Sequence, residues 1–462
     1  MPTQLPPIFL ESLEGLKGFD KDTFENVHQS GQQVTSIRFN PFKINNVSAL
    51  TSIAENMEGK IPWTSNGYYL SQRPSFTLDP TFHSGAYYVQ EASSMFLEQA
   101  LQQCTDLSHP MKVLDLCAAP GGKSTLIHSL INDKSLLVCN EVIKTRVNIL
   151  AENITKWGAA NTMVTNNDPK DFERLPNYFD VIVVDAPCSG SGLFRKDAAA
   201  IEEWSVQNVN SCSQRQQRIL ADVLPALKEG GSLIYSTCSY SESEDEAIAD
   251  WLISEKGMLP AGIDIQPEWN IIETQSQKNG AYGYRFYPDK VKGEGFFIAV
   301  FKKGEKTIAD WQVSNYKTKS ERLVAKEIAI VQPYLKDNQD FFFIKQKEEV
   351  VAIPRHMESE LAPIQFSLYI KKAGIKMGSI IRNELIPHHE FALCTSINAS
   401  VPSIVVNKDT ALQYLRRQEI KITTDFKGWV LLTYQHLPMG WIKILHNRVN
   451  NYYPKDWRIF NK

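Results

Sequence analysis

Between residues 111 and 301 the chain alternates short apolar runs with longer segments of helical character. This alternation predicts an α/β fold, a doubly wound sheet of parallel strands with helices on both faces. We expect strands at residues 113–116, 136–139, 163–165, 181–184, 232–235 and 295–301, and helices at 123–131, 144–157, 214–227 and 244–253. The acidic run 242–246 is interpreted as a solvated helix start, where the helix dipole favours acids. Ligands of such sheets bind at the carboxyl ends of the strands.

The length of 462 residues predicts two to four domains rather than a single core. We expect a mixed α+β N-terminal region at 1–105 and the α/β domain at 106–305. The boundary at 305 rests on the loss of apolar periodicity around Lys302–Lys306. Residues 306–370 form a middle segment without an assigned fold. Residues 371–462 read as short strands with turn signals, which predicts a compact barrel.

Composition excludes several classes of protein. No apolar run approaches the ~18 residues that a membrane helix needs, and the start lacks the basic and apolar regions of a secretory signal. Seven cysteines without a Cys-x-x-Cys pair are typical of reduced thiols and do not predict a metal site. We therefore expect a cytoplasmic protein with no membrane contact and no metal, and we expect a monomer.

The charge is distributed unevenly along the chain. Residues 1–305 carry a net charge of −11 and residues 306–462 carry +8, all of it after residue 370. Aromatic residues accompany this basic segment, namely Trp429, Tyr434, Trp441, Tyr452, Tyr453 and Trp457. Basic groups and aromatic faces together favour RNA binding. The same aromatic residues could equally form the core of a small barrel whose lysines are solvated.

A glycine-rich loop follows the first predicted strand, within Leu114-Asp-Leu-Cys-Ala-Ala-Pro-Gly-Gly-Lys-Ser-Thr125. Its glycines let the backbone approach a ligand, and the helix that begins there favours an anionic group. A phosphate-binding loop would need glycine at position 117, and a dinucleotide loop would need glycine where the Ala-Ala pair stands. The third interpretation is an S-adenosylmethionine site whose contacts are Cys117, Ala118, Ala119, Pro120, Gly121, Gly122 and Lys123.

Two acids follow the next strands in the order that such a cofactor requires. Glu141 ends the second strand, where a carboxylate can hold the two ribose hydroxyls. Asp168 follows the third strand, where it can meet the adenine amino group. Either acid alone could be a helix cap, but their order favours the cofactor. Arg146, one turn into the next helix, could brace the cofactor loop or contact RNA, and the sequence does not separate these alternatives.

Two cysteines lie in strand-end loops, Cys188 in Asp185-Ala-Pro-Cys-Ser-Gly and Cys238 in Ser236-Thr-Cys-Ser-Tyr. Two thiols in one crevice favour a reaction that needs a nucleophile and a second proton-handling group. A thiolate that adds to carbon 6 of cytosine makes carbon 5 able to attack an activated methyl group. A hydrogen bond to ring nitrogen 3 assists that addition and suits Asp185, while Lys123 could orient the base or Asp185.

At this point the chain closely resembles the Nol/Nop/Sun (Fmu) family of RNA cytosine-5 methyltransferases, over roughly residues 30–305. The resemblance is carried by the motifs at 117–123, 185–188, 194–196, 236–238 and 293–295. The pattern at 428–431, 437–443 and 451–455 resembles the PUA-like tail of the bacterial RsmF (YebU) branch, which acts on 16S ribosomal RNA. One departure is Asp289 after Pro288, where the family pattern leads us to expect histidine; it concerns a minor pocket contact.

The resemblance implies a Rossmann-like S-adenosylmethionine methyltransferase domain with RNA-binding regions on either side, the C-terminal one a PUA-like barrel. It implies that Cys238 is the nucleophile and that Cys188 serves product release, with Asp185 and Lys123 also catalytic; Asp185 is expected to border the cofactor as well. The mirrored assignment of the two thiols stays open, because DNA cytosine methyltransferases use the cysteine of their Pro-Cys loop.

The implied partner is RNA, and the tail favours 16S ribosomal RNA or the small ribosomal subunit. Transfer RNA is the alternative substrate. A different class of function is an RNA-binding ribosome assembly factor without catalysis, against which the intact Asp185, Cys188 and Cys238 count. A phosphate-loop nucleotidase is the third class, and Cys117 speaks against it.

Overall fold

The computed structural model of the protein describes residues 4–47, 50–304 and 320–460. Within these ranges the strands form four sheets, one of ten strands and three smaller ones. The domain boundary expected between residues 305 and 306 lies outside the described residues.

The N-terminal region packs short helices around a small antiparallel sheet. Its elements are α1 (Pro7–Leu13), α2 (Lys21–Gln29), β1 (Thr35–Phe39), α3 (Thr51–Ala54), β2 (Met57–Lys60), β3 (Gly67–Leu70), α4 (Pro80–His83), β4 (Tyr87–Val89) and α5 (Leu97–Cys104). The strands pair in the order β2-β3-β1-β4. The buried Arg38 of β1 joins this sheet to the next region, because its guanidinium donates to Gln90 and Thr125 and lies over the ring of Trp157.

The second region contains the ten-stranded sheet and its covering helices. Its elements are β5 (Lys112–Asp115), α6 (Gly122–Leu130), β6 (Leu136–Asn140), α7 (Lys144–Trp157), β7 (Thr162–Thr165), β8 (Phe179–Asp185), α8 (Ala198–Glu203), α9 (Val206–Val223), β9 (Leu227–Thr237), α10 (Glu246–Ser254), β10 (Met258–Ala261), β11 (Ile272–Gln275), β12 (Tyr282–Phe286) and β13 (Phe296–Lys303). The predicted alternation of strands and helices is therefore confirmed.

Five neighbouring strands of this sheet run parallel, in the order β9-β8-β5-β6-β7. Strand β13 adds antiparallel to β9 and is followed by β12 and β11. The central strands are buried on both faces, which explains their continuous apolar runs. Because all five parallel strands end on the same edge, the loops after them meet there.

One predicted helix differs from the observed one by more than two residues at its ends. The segment expected at 214–227 belongs to α9, which begins eight residues earlier and ends at Val223. Pro225 follows in a short turn, and Leu227 already starts β9. Proline lacks an amide proton and cannot continue an α-helix, which accounts for the earlier end.

The prediction that the acidic run 242–246 is solvated was wrong. Glu244, Asp245 and Glu246 are all buried. Their carboxylates are held by the buried Arg285 and by hydroxyl groups of neighbouring loops. No local pattern indicates Ser189, Thr274 or Arg285 as partners, because these residues are between 28 and 55 positions away along the chain.

The remaining elements form two further sheets. They are β14 (Glu321–Arg322), α11 (Ala325–Val331), β15 (Phe341–Gln346), β16 (Glu349–Pro354), α12 (Glu358–Ser367), β17 (Ile370–Ala373), β18 (Ile375–Ile381), β19 (Glu384–Pro387), α13 (His389–Leu393), β20 (Ser403–Val406), α14 (Lys408–Leu415), β21 (Gly428–Tyr434), β22 (Leu437–Ile444) and β23 (Val449–Asn451). Strand β17 pairs antiparallel with β7, so this part of the chain extends the ten-stranded sheet. The expected boundary between residues 370 and 371 falls inside β17.

The C-terminal sheet has the order β20-β21-β22-β23, and β20 runs parallel to β21. Strands β18 and β19 belong instead to the sheet β14-β15-β16-β18-β19. Trp441, Tyr453 and Tyr434 are buried, which supports the core interpretation for these aromatic residues. Tyr452 is 42% exposed and remains available at the surface.

We predict that Arg285→Met strongly destabilises the α/β domain. Arg285 donates through Nε to Glu246 Oε1 at 2.7 Å and lies 3.2 Å from Asp245. Its loss would leave two buried carboxylates unpaired, at a cost of about 3–5 kcal/mol in the free energy of unfolding. Urea denaturation measures this cost. The control, Arg218→Met, breaks only half-exposed ion pairs and should cost less than about 1 kcal/mol; equal losses would contradict the prediction.

Candidate active site

The loops after β8 and β9 bring two thiols together. Strands β8 and β9 pair in parallel, with Asp185 opposite Ser236, so the loops that follow them leave the sheet side by side. Cys188 and Cys238 lie in these loops, and their Sγ atoms are 3.1 Å apart. The structure thus brings together the two cysteines that the sequence places 50 residues apart.

Gly192 lets the two loops approach this closely. Its amide donates to the carbonyl of Cys238 at 2.8 Å. A Cβ atom at this position would lie 2.8 Å from the same carbonyl oxygen and 2.5 Å from that of Gly295. Only glycine therefore fits between the Cys238 loop and the loop before β13.

The Cys188 thiol lies in a setting that disfavours its ionised form. The hydrogen bond with Cys238 and then burial raise the pKa of Cys188 well above its usual value. A proton therefore stays on Cys188 at neutral pH unless the arrangement changes. A thiol in this state can hold or pass a proton next to a reacting thiolate.

An ion pair lies beside the thiols. Lys123 Nζ is 2.7 Å from Asp185 Oδ2, and Ser236 Oγ donates to Asp185 Oδ1 at 2.8 Å. Burial lowers the pKa of Lys123, but the neighbouring negative charges, Asp185 first among them, more than offset this and leave it raised. Lys123 therefore stays protonated and holds the Asp185 carboxylate in place. Orientation of Asp185 was one of the two roles expected for Lys123.

The glycine-rich loop connects β5 to α6. Gly121 precedes the helix with φ +115°, a backbone conformation that favours glycine. Arg146 of α7 donates through Nη2 to the carbonyl of Ala119 at 2.7 Å. Arg146 thus braces this loop, which was one of the alternatives left open by the sequence.

The two predicted acids lie at the ends of β6 and β7. Glu141 is buried, accepts from the Ile143 amide through Oε1, and has Arg146 Nη1 3.5 Å from Oε2. That second oxygen has no hydrogen-bond partner among the described residues. Asp168 caps the turn that follows it and lies 3.4 Å from Arg218. Both acids are on the edge of the sheet where the glycine loop lies.

A cavity of about 420 Å³ lies between the glycine loop and Cys238, and Cys188, Glu141 and Asp168 are not among the residues that line it. It is lined by the loop residues Cys117–Pro120, by Lys123, Arg146, Asp185 and Cys238, and by residues from elsewhere, which are Tyr88–Glu91, Ser94, Leu193 and Glu294–Phe296. Sequence reasoning missed the wall formed by β4 and the segment after it. The only signal for it was the 293–295 motif, whose Glu294 amide donates to Glu91.

Tyr369, directly before β17, is a second residue near the site that sequence reasoning missed. Its carbonyl accepts from the Asn166 amide, and its amide donates to Asn167 Oδ1, so it lies beside the loop that contains Asp168. Its side chain is 65% exposed. The middle segment thus reaches the acid-bearing edge of the sheet, which no local pattern in residues 306–370 indicated.

Arg195, considered above only within its motif, is not exposed. Arg195 Nη1 lies 3.5 Å from Glu294 and Lys196 Nζ lies 3.8 Å from it. Burial raises the pKa of Glu294 to about 7, against the opposing effect of these two cations. Of these three residues, Glu294 lines the cavity.

Comparison with known proteins places this geometry in a family. A family model described as 16S rRNA methyltransferase RsmB/F matches residues 103–302. A model for the N-terminal domain of 16S rRNA methyltransferase RsmF matches residues 5–92, and one for the methyltransferase RsmF PUA domain matches residues 401–459. The three matches follow one another along the chain in the order of its regions.

Individual relatives agree with these models. A ribosomal RNA small subunit methyltransferase F from Shewanella woodyi is 32% identical, with 91% of this chain and 90% of the relative covered. Its counterpart from Erwinia tasmaniensis is 28% identical, with 98% and 96% covered. The crystal structure of a methyltransferase homolog protein from Pyrococcus horikoshii is 28% identical with a TM-score of 0.51, covering 65% of this chain and 100% of that one.

The fold and the site together define an S-adenosylmethionine-dependent RNA methyltransferase with a PUA domain at its C-terminus. The chain belongs to the family of ribosomal RNA small subunit methyltransferase F, within the RsmB/F methyltransferases. This confirms the resemblance seen in the sequence, the expected fold class, RNA as partner and the expected activity on carbon 5 of cytosine.

Two features are absent from the described ranges. No helix there is long and apolar enough to cross a membrane. Residues 4–47, 50–304 and 320–460 also contain no group of three or more histidine, cysteine or acidic side chains placed to hold a metal ion.

We predict that Cys238→Ala moves the alkylation of Cys188 to lower pH. The hydrogen bond with Cys238 is the largest cause of the raised pKa of Cys188, so its removal should lower that pKa. The rate of iodoacetamide modification of the Cys188 peptide, followed by mass spectrometry from neutral to alkaline pH, measures the shift. Cys394→Ala, which removes a buried thiol outside the site, serves as the control. An unchanged or higher midpoint in Cys238→Ala would contradict the assignment.

Proposed function

We propose that this protein methylates carbon 5 of a cytosine in 16S ribosomal RNA, as naked RNA or within the small ribosomal subunit. The observation that carries the proposal is the pair of thiols, 3.1 Å apart and beside the Lys123–Asp185 ion pair, of which Cys238 lines one cavity with the glycine loop. The names of the matched families and relatives support this choice of RNA. We infer a cytoplasmic location, because the proposed substrate is ribosomal RNA.

We assign the cofactor to the glycine loop and the acids around it. The fit rests on the cavity, whose wall includes residues 117–120 of the loop, and on Glu141 Oε2, a buried oxygen with no hydrogen-bond partner in the described part of the chain. S-adenosylmethionine, when bound, supplies a methyl group on a sulfonium. The residues that would hold it are Cys117, Ala118, Ala119, Pro120, Gly121, Gly122, Lys123, Glu141, Arg146, Asp168 and Asp185.

The first step is the addition of a thiolate to the base. Cys238 is the nucleophile: its sulfur forms a bond to carbon 6, and the electron pair of the C5–C6 double bond becomes available at carbon 5. Asp185, held as a carboxylate by Lys123 and Ser236, supports this step by accepting a hydrogen bond from ring nitrogen 3 once that nitrogen has taken up the proton of the Cys238 thiol. Carbon 5 would then take the methyl group as the bond between that group and the sulfonium sulfur breaks, and the electron pair of the broken bond would stay on the sulfur.

The second step is release of the product. The proton on carbon 5 must leave so that the electron pair reforms the C5–C6 bond and the Cys238 sulfur departs. Cys188, next to Cys238, acts as the base for this proton or positions that base, and to act as the base it must first have lost its own thiol proton. Both faces of the ring take part, so the cytosine must be unstacked from its neighbours.

We assign the surrounding regions to the RNA. The N-terminal region forms one wall of the cavity through Tyr88–Glu91, and the basic segment 371–462 would hold the RNA around the target base. Part of that basic charge is already paired inside the protein, since Lys372 contacts Glu390 and Lys376 contacts Glu349. The monomeric state stays a prediction.

Two alternatives give different results in one experiment. Transfer RNA as substrate would move the label to small RNA, and a silent assembly factor would bind RNA without transferring a methyl group. The Lys123–Asp185 pair beside two thiols argues against a silent factor, because a protein that only binds RNA has no need for it.

We predict that Cys188→Ala accumulates a covalent protein–RNA adduct, whereas Cys238→Ala gives neither adduct nor product. Removal of Cys188 blocks release after bond formation, and removal of Cys238 prevents bond formation. The measurement uses S-adenosylmethionine with a labelled methyl group, denaturing gels, and three substrates: 16S RNA, assembled small subunits and total small RNA.

Cys394→Ala is the matched control and should behave like the wild type. An adduct that depends on Cys188 instead of Cys238 would reverse the two roles. Transfer of no label to any RNA by the wild type would overturn the proposed activity.

A further inference from the structure

One buried carboxylate lies between the two cysteine loops and has no part in the chemistry above. Glu244 is 0% exposed, although it belongs to an acidic run that the sequence places at a helix start. Burial of a carboxylate is costly unless donors surround it. The donors that surround Glu244 therefore show what it holds.

All four donors to this carboxylate come from the site or from the helix behind it. Oε1 accepts from the backbone amide of Ser189 at 2.8 Å and from Gln216 Nε2 at 3.2 Å. Oε2 accepts from Ser189 Oγ at 2.5 Å and from Ser239 Oγ at 2.6 Å. The two carboxylate oxygens are thus fully used.

The positions of these donors connect Glu244 to both thiols. Ser189 directly follows Cys188, and Ser239 directly follows Cys238. Gln216 also donates to the carbonyl of Pro187, which precedes Cys188. The loops are further joined by the Gly192 amide on the Cys238 carbonyl and by Ser191 Oγ, which accepts from the Tyr240 amide. Among these ties, Glu244 is the one that carries a charge and binds the residue next to each cysteine.

We propose that Glu244 is a positioning residue that sets the separation and orientation of Cys188 and Cys238. Charge-assisted hydrogen bonds are shorter and stronger than neutral ones, so a carboxylate holds the two loops more tightly than an amide in its place. The inference rests on the proposed function for its effect on catalysis. Its effect on the arrangement of the thiols does not depend on that function.

A positioning role for Glu244 predicts an effect on catalysis that a purely structural role does not. Proton removal from carbon 5 requires Cys188 at a fixed place beside the bond that Cys238 forms, and a misplacement of about 1 Å can lower a rate ~100-fold. Addition by Cys238 alone is less demanding, because it involves only one of the two loops. Loss of Glu244 should therefore slow release more than adduct formation.

The test compares Glu244→Gln with the wild type and with Glu242→Gln, which removes the same charge two residues away. We expect Glu244→Gln to accumulate the covalent adduct with 16S RNA, as Cys188→Ala does, although both thiols are present. Its rate of release of methylated RNA should fall about 100-fold. Glu242→Gln should match the wild type. Product formation by Glu244→Gln at the wild-type rate, without accumulated adduct, would overturn the proposal.

A second readout is independent of activity. Diamide oxidation of the protein joins adjacent thiols, and mass spectrometry follows the rate of linkage between the Cys188 and Cys238 peptides. Glu244→Gln should slow this linkage several-fold, and equal rates in the two proteins would count against a positioning role. An inactive wild type whose thiols nevertheless respond to Glu244→Gln would reject the proposed function and keep this inference.

A smaller change covers the case in which Glu244→Gln fails to fold. Ser239→Ala removes one donor to Glu244 and leaves the carboxylate in place. We expect the same direction of effect on adduct and linkage, at a smaller size. Thermal denaturation confirms that the variant is folded, and wild-type behaviour of folded Ser239→Ala in both assays would overturn the proposal.

Discussion

The parallel pairing of β8 with β9 is the constraint on which the site depends. With Asp185 opposite Ser236, the next few residues of both strands leave the sheet at one level, and the thiols of Cys188 and Cys238 come within 3.1 Å. Neither loop could supply this arrangement alone. Five parallel strands end on this edge, so the glycine loop after β5 and the acids after β6 and β7 share it.

Buried polar side chains hold the loops at this edge of the sheet in place. Glu244 binds the two cysteine loops, while Arg285 lies within ion-pair distance of both Asp245 and Glu246 at the start of α10. Burying so many charges is costly, and each must be paired to persist. Ionic hydrogen bonds, and not apolar packing alone, fix the loops of the site in position. The same bonds require the costly burial of charged groups.

Local sequence patterns were enough to predict the α/β domain, the glycine loop and the two thiols, because strand and helix periodicity and strand-end residues are local signals. Glu244 was misjudged, since an acidic run looks solvated until Ser189 and Ser239 are placed beside it. Tyr369 and the pairing of β17 with β7 were missed because both depend on contact between residues about 200 positions apart. Contacts over such a separation produce no pattern in the local sequence around either residue.

The central claim is that methylation takes place at carbon 5 of cytosine through addition at carbon 6. The most direct measurement uses unmodified 16S RNA transcribed with cytidine that carries tritium on carbon 5. The account predicts that the wild-type protein with S-adenosylmethionine releases tritium into water in equal amount to the methyl groups it transfers. Methyl transfer without release of tritium would place the new group on another atom and contradict the account.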